Sequence, residues 1–156
     1  NRGYSLVEVI MVLACFLLLS AYCIHRLPGI RIFSVKAELS RVLSVLQFAR
    51  AYAVLNQKAV TVCGSEDGQQ CDGGWSENIL LKLQSQRLRV FRTRLPLSGG
   101  VSWSGGGRRN ILKFNARGDA LGFQGRFKVC DKSLNKCMCL VVSPSGMLRN
   151  ESSCVN

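Results

Sequence analysis

Six of the eight cysteines, Cys63, Cys71, Cys130, Cys137, Cys139 and Cys154, are the residues whose type and spacing point most directly to chemistry. An even set of thiols in a small exported domain oxidises to disulfides, which implies a periplasmic or cell-surface setting. Cys63 and Cys71 flank a turn-rich loop, Gly64-Ser65-Glu66-Asp67-Gly68, and are expected to bridge each other. Zinc is the competing chemistry. Cys137-Met138-Cys139 is too tight for the usual two-residue ligand spacing and has no histidine beside it, so no metal is expected. Cys15 and Cys23 sit inside an apolar run and are expected to remain thiols or simply pack.

No catalytic centre can be built from what remains. The single histidine, His25, borders the apolar run and reads as a headgroup contact. The nine acids are scattered, without a close pair for acid–base work. No Ser-His-Asp set forms outside the apolar run. Gly105-Gly106-Gly107-Arg108-Arg109 lacks the Gly-Lys-Ser/Thr ending of a phosphate loop and reads as a flexible basic turn. Trp75 and Trp103 read as core or rim residues. No enzyme activity and no cofactor are expected.

The remaining chemistry is charge. The chain has 156 residues and a formal net charge of +12. Arg2, Arg26 and Arg31 against Glu8 give +2 up to residue 33, so residues 34–156 carry +10. That excess favours anionic partners. Arg87, Arg89, Arg92 and Arg94 crowd one region, and Arg126, Lys128, Lys132 and Lys136 surround Cys130.

The elements that would position these groups follow from periodicity. After Glu8 nothing charged appears before Arg26, and Ser5 to Ile24 is about the 20 residues that span a ~30 Å hydrocarbon core. A carboxylate this close to such a run is expected to be paired or functional. Pro28-Gly29 should kink or locally melt the helix. Val35, Leu39, Val42, Leu46, Ala49 and Ala53 then step by four and three, one face of a helix ending near Asn56. Leu43, Val45 and Phe48 widen that face, which suits packing on a sheet. Glu38 and Arg41 are expected to pair on its surface.

Beyond Lys58 the period becomes that of short strands, around Ala59–Cys63, Ile79–Leu83, Leu88–Arg92, Val101–Trp103, Asn110–Phe114, Gly125–Cys130, Met138–Val142 and Met147–Arg149. Gly and Pro turns separate them. One helix followed by many strands is an α+β pattern.

Gly3-Tyr4-Ser5-Leu6-Val7-Glu8 resembles the class III signal of type IV pilins and type II secretion pseudopilins. Tyr4 stands where that family usually has Phe. The resemblance implies that a prepilin peptidase cuts between Gly3 and Tyr4 and methylates the new N-terminus. It also implies that Glu8 neutralises the amine of a neighbouring subunit. Cys63, Cys71 and Trp75; Phe114-Asn115-Ala116-Arg117-Gly118; Phe127-Lys128-Val129-Cys130-Asp131; and Leu140-Val141-Val142-Ser143-Pro144-Ser145-Gly146 are similar to FimT/FimU minor pilins and GspH-type pseudopilins.

The fold this implies is type IV pilin-like: a long N-terminal helix, membrane-spanning in its first half, packed on antiparallel sheets and stapled by disulfides. Residues 1–3 would be a leader remnant, 4–27 the transmembrane and polymerisation helix, 28–56 its amphipathic continuation, and 57–156 a periplasmic β-rich domain. In that branch a bridge often joins the Cys130 position to Cys154. Cys130–Cys137 with Cys139–Cys154 is the alternative, and the sequence leaves both open.

DNA-binding relatives use a Gly-Arg-x-Arg motif, matched here by Gly146-Met147-Leu148-Arg149 with Met147 replacing the first arginine. The resemblance therefore implies a phosphate contact at Arg149, helped by Arg108, Arg109, Lys132 and Lys136. The implied function is a minor pilin of type IV pilus biogenesis, with sequence-independent DNA binding in uptake. A minor pseudopilin of type II secretion is the alternative. The implied partners are other major and minor pilins, prepilin peptidase, the inner-membrane assembly machinery, DNA and the bilayer. The implied location is the inner membrane and the pilus filament or tip.

Overall fold

A computed structural model describes residues 5–26, 28–83, 86–92, 100–106, 110–132, 135–151 and 154. Helices α1 (Leu6–Arg26) and α2 (Pro28–Leu55) precede eight strands. These are β1 (Val60–Ser65), β2 (Asn78–Leu83), β3 (Gln86–Arg92), β4 (Val101–Gly105), β5 (Ile111–Phe114), β6 (Gly125–Asp131), β7 (Lys136–Val142) and β8 (Leu148–Glu151). The chain divides into two compact units, Asn1–Arg31 and Ile32–Asn156.

In the first unit, Ser5 to Tyr22 is exposed throughout, including Leu6, Phe16, Leu17 and Leu18. Glu8 lies in the first turn of α1, where a carboxylate suits the helix dipole. Among the described residues no helix is long and apolar enough to cross a membrane. The span expected from the sequence, residues 4–27, has both its end residues outside the described ones. Pro28 opens α2, a position where its missing N–H costs nothing; Leu27, at the expected kink, lies outside the described residues.

The second unit is built on one face of α2. Val35, Leu39, Val42, Val45, Leu46, Ala49 and Ala53 are all buried in a single core with the strands. Glu38 corrects the sequence reading: at 1% exposure it lies inside rather than on the helix surface. The reason is helical phase, since it lies three and four residues from Val35 and Val42. The helix ends as Gln57 takes a positive φ of 53° and the chain turns into β1.

The strands form two antiparallel four-stranded sheets, β3-β2-β1-β5 and β4-β6-β7-β8. Val60 and Val62 of β1, Leu81 of β2 and Leu112 and Phe114 of β5 supply the first sheet's core residues. Phe127, Val129, Leu140 and Val142 supply the second's. Trp75 packs edge-on to Phe127 with centroids 4.9 Å apart, and Trp103 lies 4.4 Å from the same ring. Both tryptophans are therefore interior, and neither offers a stacking surface to solvent.

Three disulfides staple this unit. Cys63–Cys71 closes the loop between β1 and β2. Within that loop the Asp67 carboxylate accepts the backbone N–H of Gln70 and of Gln69 and the Ser65 hydroxyl, which holds its pKa below the usual carboxylate value. Asp72 accepts the N–H of Glu66 and Gly74 at 2.9 and 2.8 Å.

The other pairs are Cys130–Cys137 and Cys139–Cys154. The Cys130–Cys154 bridge implied by resemblance does not form. The β6–β7 hairpin sets Cys130 directly opposite Cys137, with their Cα atoms 4.2 Å apart. Cys139 then sits opposite Glu151 on β8, within reach of Cys154 just beyond it.

Candidate functional site

The second sheet turns alternate residues inward and outward, because strand side chains change face with every residue. Trp103, Phe127 and Leu140 face the core, so their neighbours face out. Pairing then lines up Ser104, Arg126, Val141 and Arg149 across all four strands. The next outward row is Ser102, Lys128, Cys139 and Glu151. Two rows thus carry three cations, two hydroxyls and one acid. Arg126 Nη2 reaches Glu151 Oε2 at 3.5 Å, while Arg149 is exposed.

An open groove of about 680 Å³ runs over this face. The Cys139–Cys154 bridge and Val141 give it an apolar floor, and Arg126, Lys128, Ser102 and Ser104 line it. A cationic groove with hydroxyl donors and no aromatic platform suits phosphate or carboxylate oxygens rather than bases.

The expected site residues divide among several places. Arg149 shares this face with Arg126 and Lys128. Lys132 and Lys136 are exposed at the end of the β6–β7 hairpin. Gly3, Tyr4, Arg108 and Arg109 lie outside the described residues. Arg89 is exposed, with its guanidinium over the rings of Phe48 and Phe91, 5.6 and 5.3 Å from their centroids. Arg94 lies outside the described residues.

Arg126 and Lys128 join Arg149 through register, which the sequence does not print. Their period-two alternation around Phe127 was the visible signal.

Arg149 is aimed by a turn that Arg50 holds. Ser143 N–H donates to Met147 O, Gly146 N–H to Ser143 O, and Met147 N–H to Ser143 Oγ. From α2, Arg50 Nε donates to Gly118 O at 3.1 Å and Nη2 to Ser145 O at 3.3 Å. Ala120 N–H donates to Pro144 O at 2.8 Å. The two stretches Asn115–Asp119 and Ser143–Gly146, far apart in sequence, are thereby tied to each other and to the helix. Gly146 has a φ of 72°, and a Cβ there would drive into the Gly118 carbonyl.

The sequence profile of the family described as Type II transport protein GspH matches residues 38–146. The chain belongs to the GspH family. This match lies wholly within the second unit, so the membership stands on the globular unit alone. The type IV minor pilin FimU of Pseudomonas aeruginosa strain PAO1 has a similar fold. One crystal form gives a TM-score of 0.62 at 17% identity, covering 80% of this chain and 92% of that one. A second gives 0.57 at 17% identity, covering 74% and 91%. No curated protein matches the sequence. The fold is that of a GspH-type pilin, and the family is one of structural proteins rather than enzymes.

Gly146 makes the positioning role measurable. Gly146→Ala is expected to lower unfolding stability by roughly 2 kcal/mol or more, from the positive φ plus the carbonyl clash. Gly122→Ala carries the same φ penalty, at 76°, but meets nothing within 4 Å, and should cost distinctly less. Urea midpoints of the two variants of the full disulfide-bonded chain in detergent measure the difference; equal midpoints would contradict the close-approach account.

Proposed function

We propose that this chain is a minor pilin that enters a type IV pilus with other pilins through its N-terminal helix. In this reading residues 1–3 are a leader remnant removed by prepilin peptidase between Gly3 and Tyr4. Residues 4–27 lie in the inner membrane before assembly and in the filament afterwards. Residues 28–56 continue the helix, and residues 57–156 form the periplasmic domain.

The observation that carries the reading is the first unit. An apolar helix whose described side chains are all exposed needs lipid or other helices around it. Glu8, the one acid in it, would then meet the amine of a neighbouring subunit, where charge pairing in an apolar setting is strong. A minor pseudopilin of type II secretion is the second reading, favoured by the description of the family that the chain matches. Recovery from sheared pili separates the two.

Sequence-independent DNA binding is proposed for the same protein. The cationic face of the second sheet supports it, with Arg149, Arg126 and Lys128 in adjoining rows and Lys132 and Lys136 at the hairpin end. Arg108 and Arg109 belong to the same proposal through their sequence alone. Phosphate contacts carry no sequence information, as uptake of arbitrary DNA requires.

Glu8→Ala and Glu8→Lys are expected to insert in the membrane normally and to be depleted from sheared pili. Blots of membrane and filament fractions measure this, and normal incorporation of both variants would sink the assembly role. For DNA, four neutralised phosphates would make log K fall with log salt at a slope of roughly −3 to −4. Arg149→Ala should weaken binding to all sequences alike and reduce that slope by about one unit. A salt titration with labelled duplex DNA is the test. No binding at low salt, or affinity unchanged in Arg149→Ala combined with Lys128→Ala, would remove the DNA reading and leave assembly.

A further inference from the structure

One acid stands among the cations on the outer face of the second sheet. β8 runs Leu148-Arg149-Asn150-Glu151, and alternation puts Arg149 and Glu151 on the same side. Register sets Glu151 opposite Cys139 on β7, and Cys139 opposite Lys128 on β6. Arg126, two residues before Lys128, belongs to the other row, with Val141 and Arg149. Its guanidinium nevertheless pairs with Glu151, at 3.5 Å from Nη2 to Oε2. β7 lies between β6 and β8, so the two paired residues start from strands about 10 Å apart. The ion pair therefore crosses the outer side of β7 diagonally, where Val141 and the Cys139–Cys154 bridge form the groove floor.

The carboxylate is anchored there. β8 is an edge strand, paired on one side only. The Cys139–Cys154 bridge closes the chain back onto β7 just after Glu151, at the very residue that Glu151 faces. The end of β8 is thus held by a covalent bond as well as by the ladder. Arg126 and Glu151 have side chains 39% and 43% exposed, and a pair this exposed adds little to stability and breaks readily. Its consequence is for the groove. It occupies one of the three cations in the two rows and sets a negative charge beside Lys128 and Arg149.

We propose that Glu151 is a built-in competitor of the cationic groove, holding Arg126 in an internal ion pair that a bound polyanion must displace. The proposal rests on the reading of this face as a phosphate-binding surface and deepens it by naming the residue that limits its affinity. A lone monovalent anion offers Arg126 no more than Glu151 already does. A chain of phosphates offers more, because Lys128 and Arg149 hold it beside Arg126 while its condensed counterions are released. Arg126 and Lys128 are about 7 Å apart along β6, so closely repeated charges can meet both. The ligand that opens the pair is therefore a repeating phosphate chain, whether nucleic acid or inorganic polyphosphate. Glu151 sets the threshold that such a chain passes and a single anion does not.

The test is a salt series of binding to the full chain in neutral detergent, with labelled duplex DNA and labelled inorganic polyphosphate as probes. Glu151→Gln is expected to raise affinity about fivefold. It should also steepen the fall of log K with log salt by about 0.9, since Arg126 then neutralises one further phosphate. Both gains should be lost when Arg126→Gln is added. Glu66→Gln makes the same charge change on the β1–β2 loop of the first sheet and should leave binding unchanged. A gain that survives Arg126→Gln, or that Glu66→Gln reproduces, reports net charge alone and overturns the proposal. DNA bound equally well with Glu151 and with Glu151→Gln overturns it while the DNA reading stands. Gains with polyphosphate in a chain that never binds DNA uphold it and remove the DNA reading. No binding of either probe at low salt removes both.

Discussion

The two helices use their apolar surface in opposite ways, and the rest of the structure follows from that asymmetry. From Val35 to Ala53 the face of α2 is wholly covered by strands from both sheets, within one core. From Leu6 to Tyr22 the apolar side chains of α1 are exposed on all sides. At about 25 cal/mol for each Å² of apolar surface, leaving such a helix in water is costly. The globular unit can therefore fold around α2 independently of what later surrounds α1.

Covering α2 also decides what the sheets present outward. Once Phe127, Val129, Leu140 and Val142 are committed to the core, Arg126, Lys128, Val141 and Arg149 have no other side to take. The Cys139–Cys154 bridge then lies on that outer face and holds the C-terminal end near it. Arg50 couples the two arrangements. It projects from the helix, yet its guanidinium fixes the turns that precede Met147 and Arg149. One helical cation thus fixes the turn that leads into β8, the strand that carries Arg149.

Much of this was legible in the sequence because it depends on local period. The four-and-three stripe of α2, the change to strands after Lys58 and the buried run Ile79-Leu80-Leu81 all appear in the structure. What depends on register was not legible. The pairing of Cys130 with Cys137 follows from which residues oppose each other across the hairpin, and two pairings fit the spacing equally. Glu38 looked like a surface charge because its type outweighed its phase on the helix. Arg50 looked like one more solvated cation, since nothing local shows that carbonyls 68 and 95 residues later will converge on it. The groove over the second sheet was half visible: the alternation of Arg126 and Lys128 was there, but their alignment with Arg149 was not.

The proposed pilin role requires that the exposed helix α1 be surrounded by the helices of other subunits. Peptide mass spectrometry of filaments sheared from cells producing the full chain tests this most directly. This protein is expected among the filament components, with its N-terminal peptide beginning at Tyr4. Its absence from filaments, while a form retaining Gly3 accumulates in the membrane fraction, would exclude that role for α1.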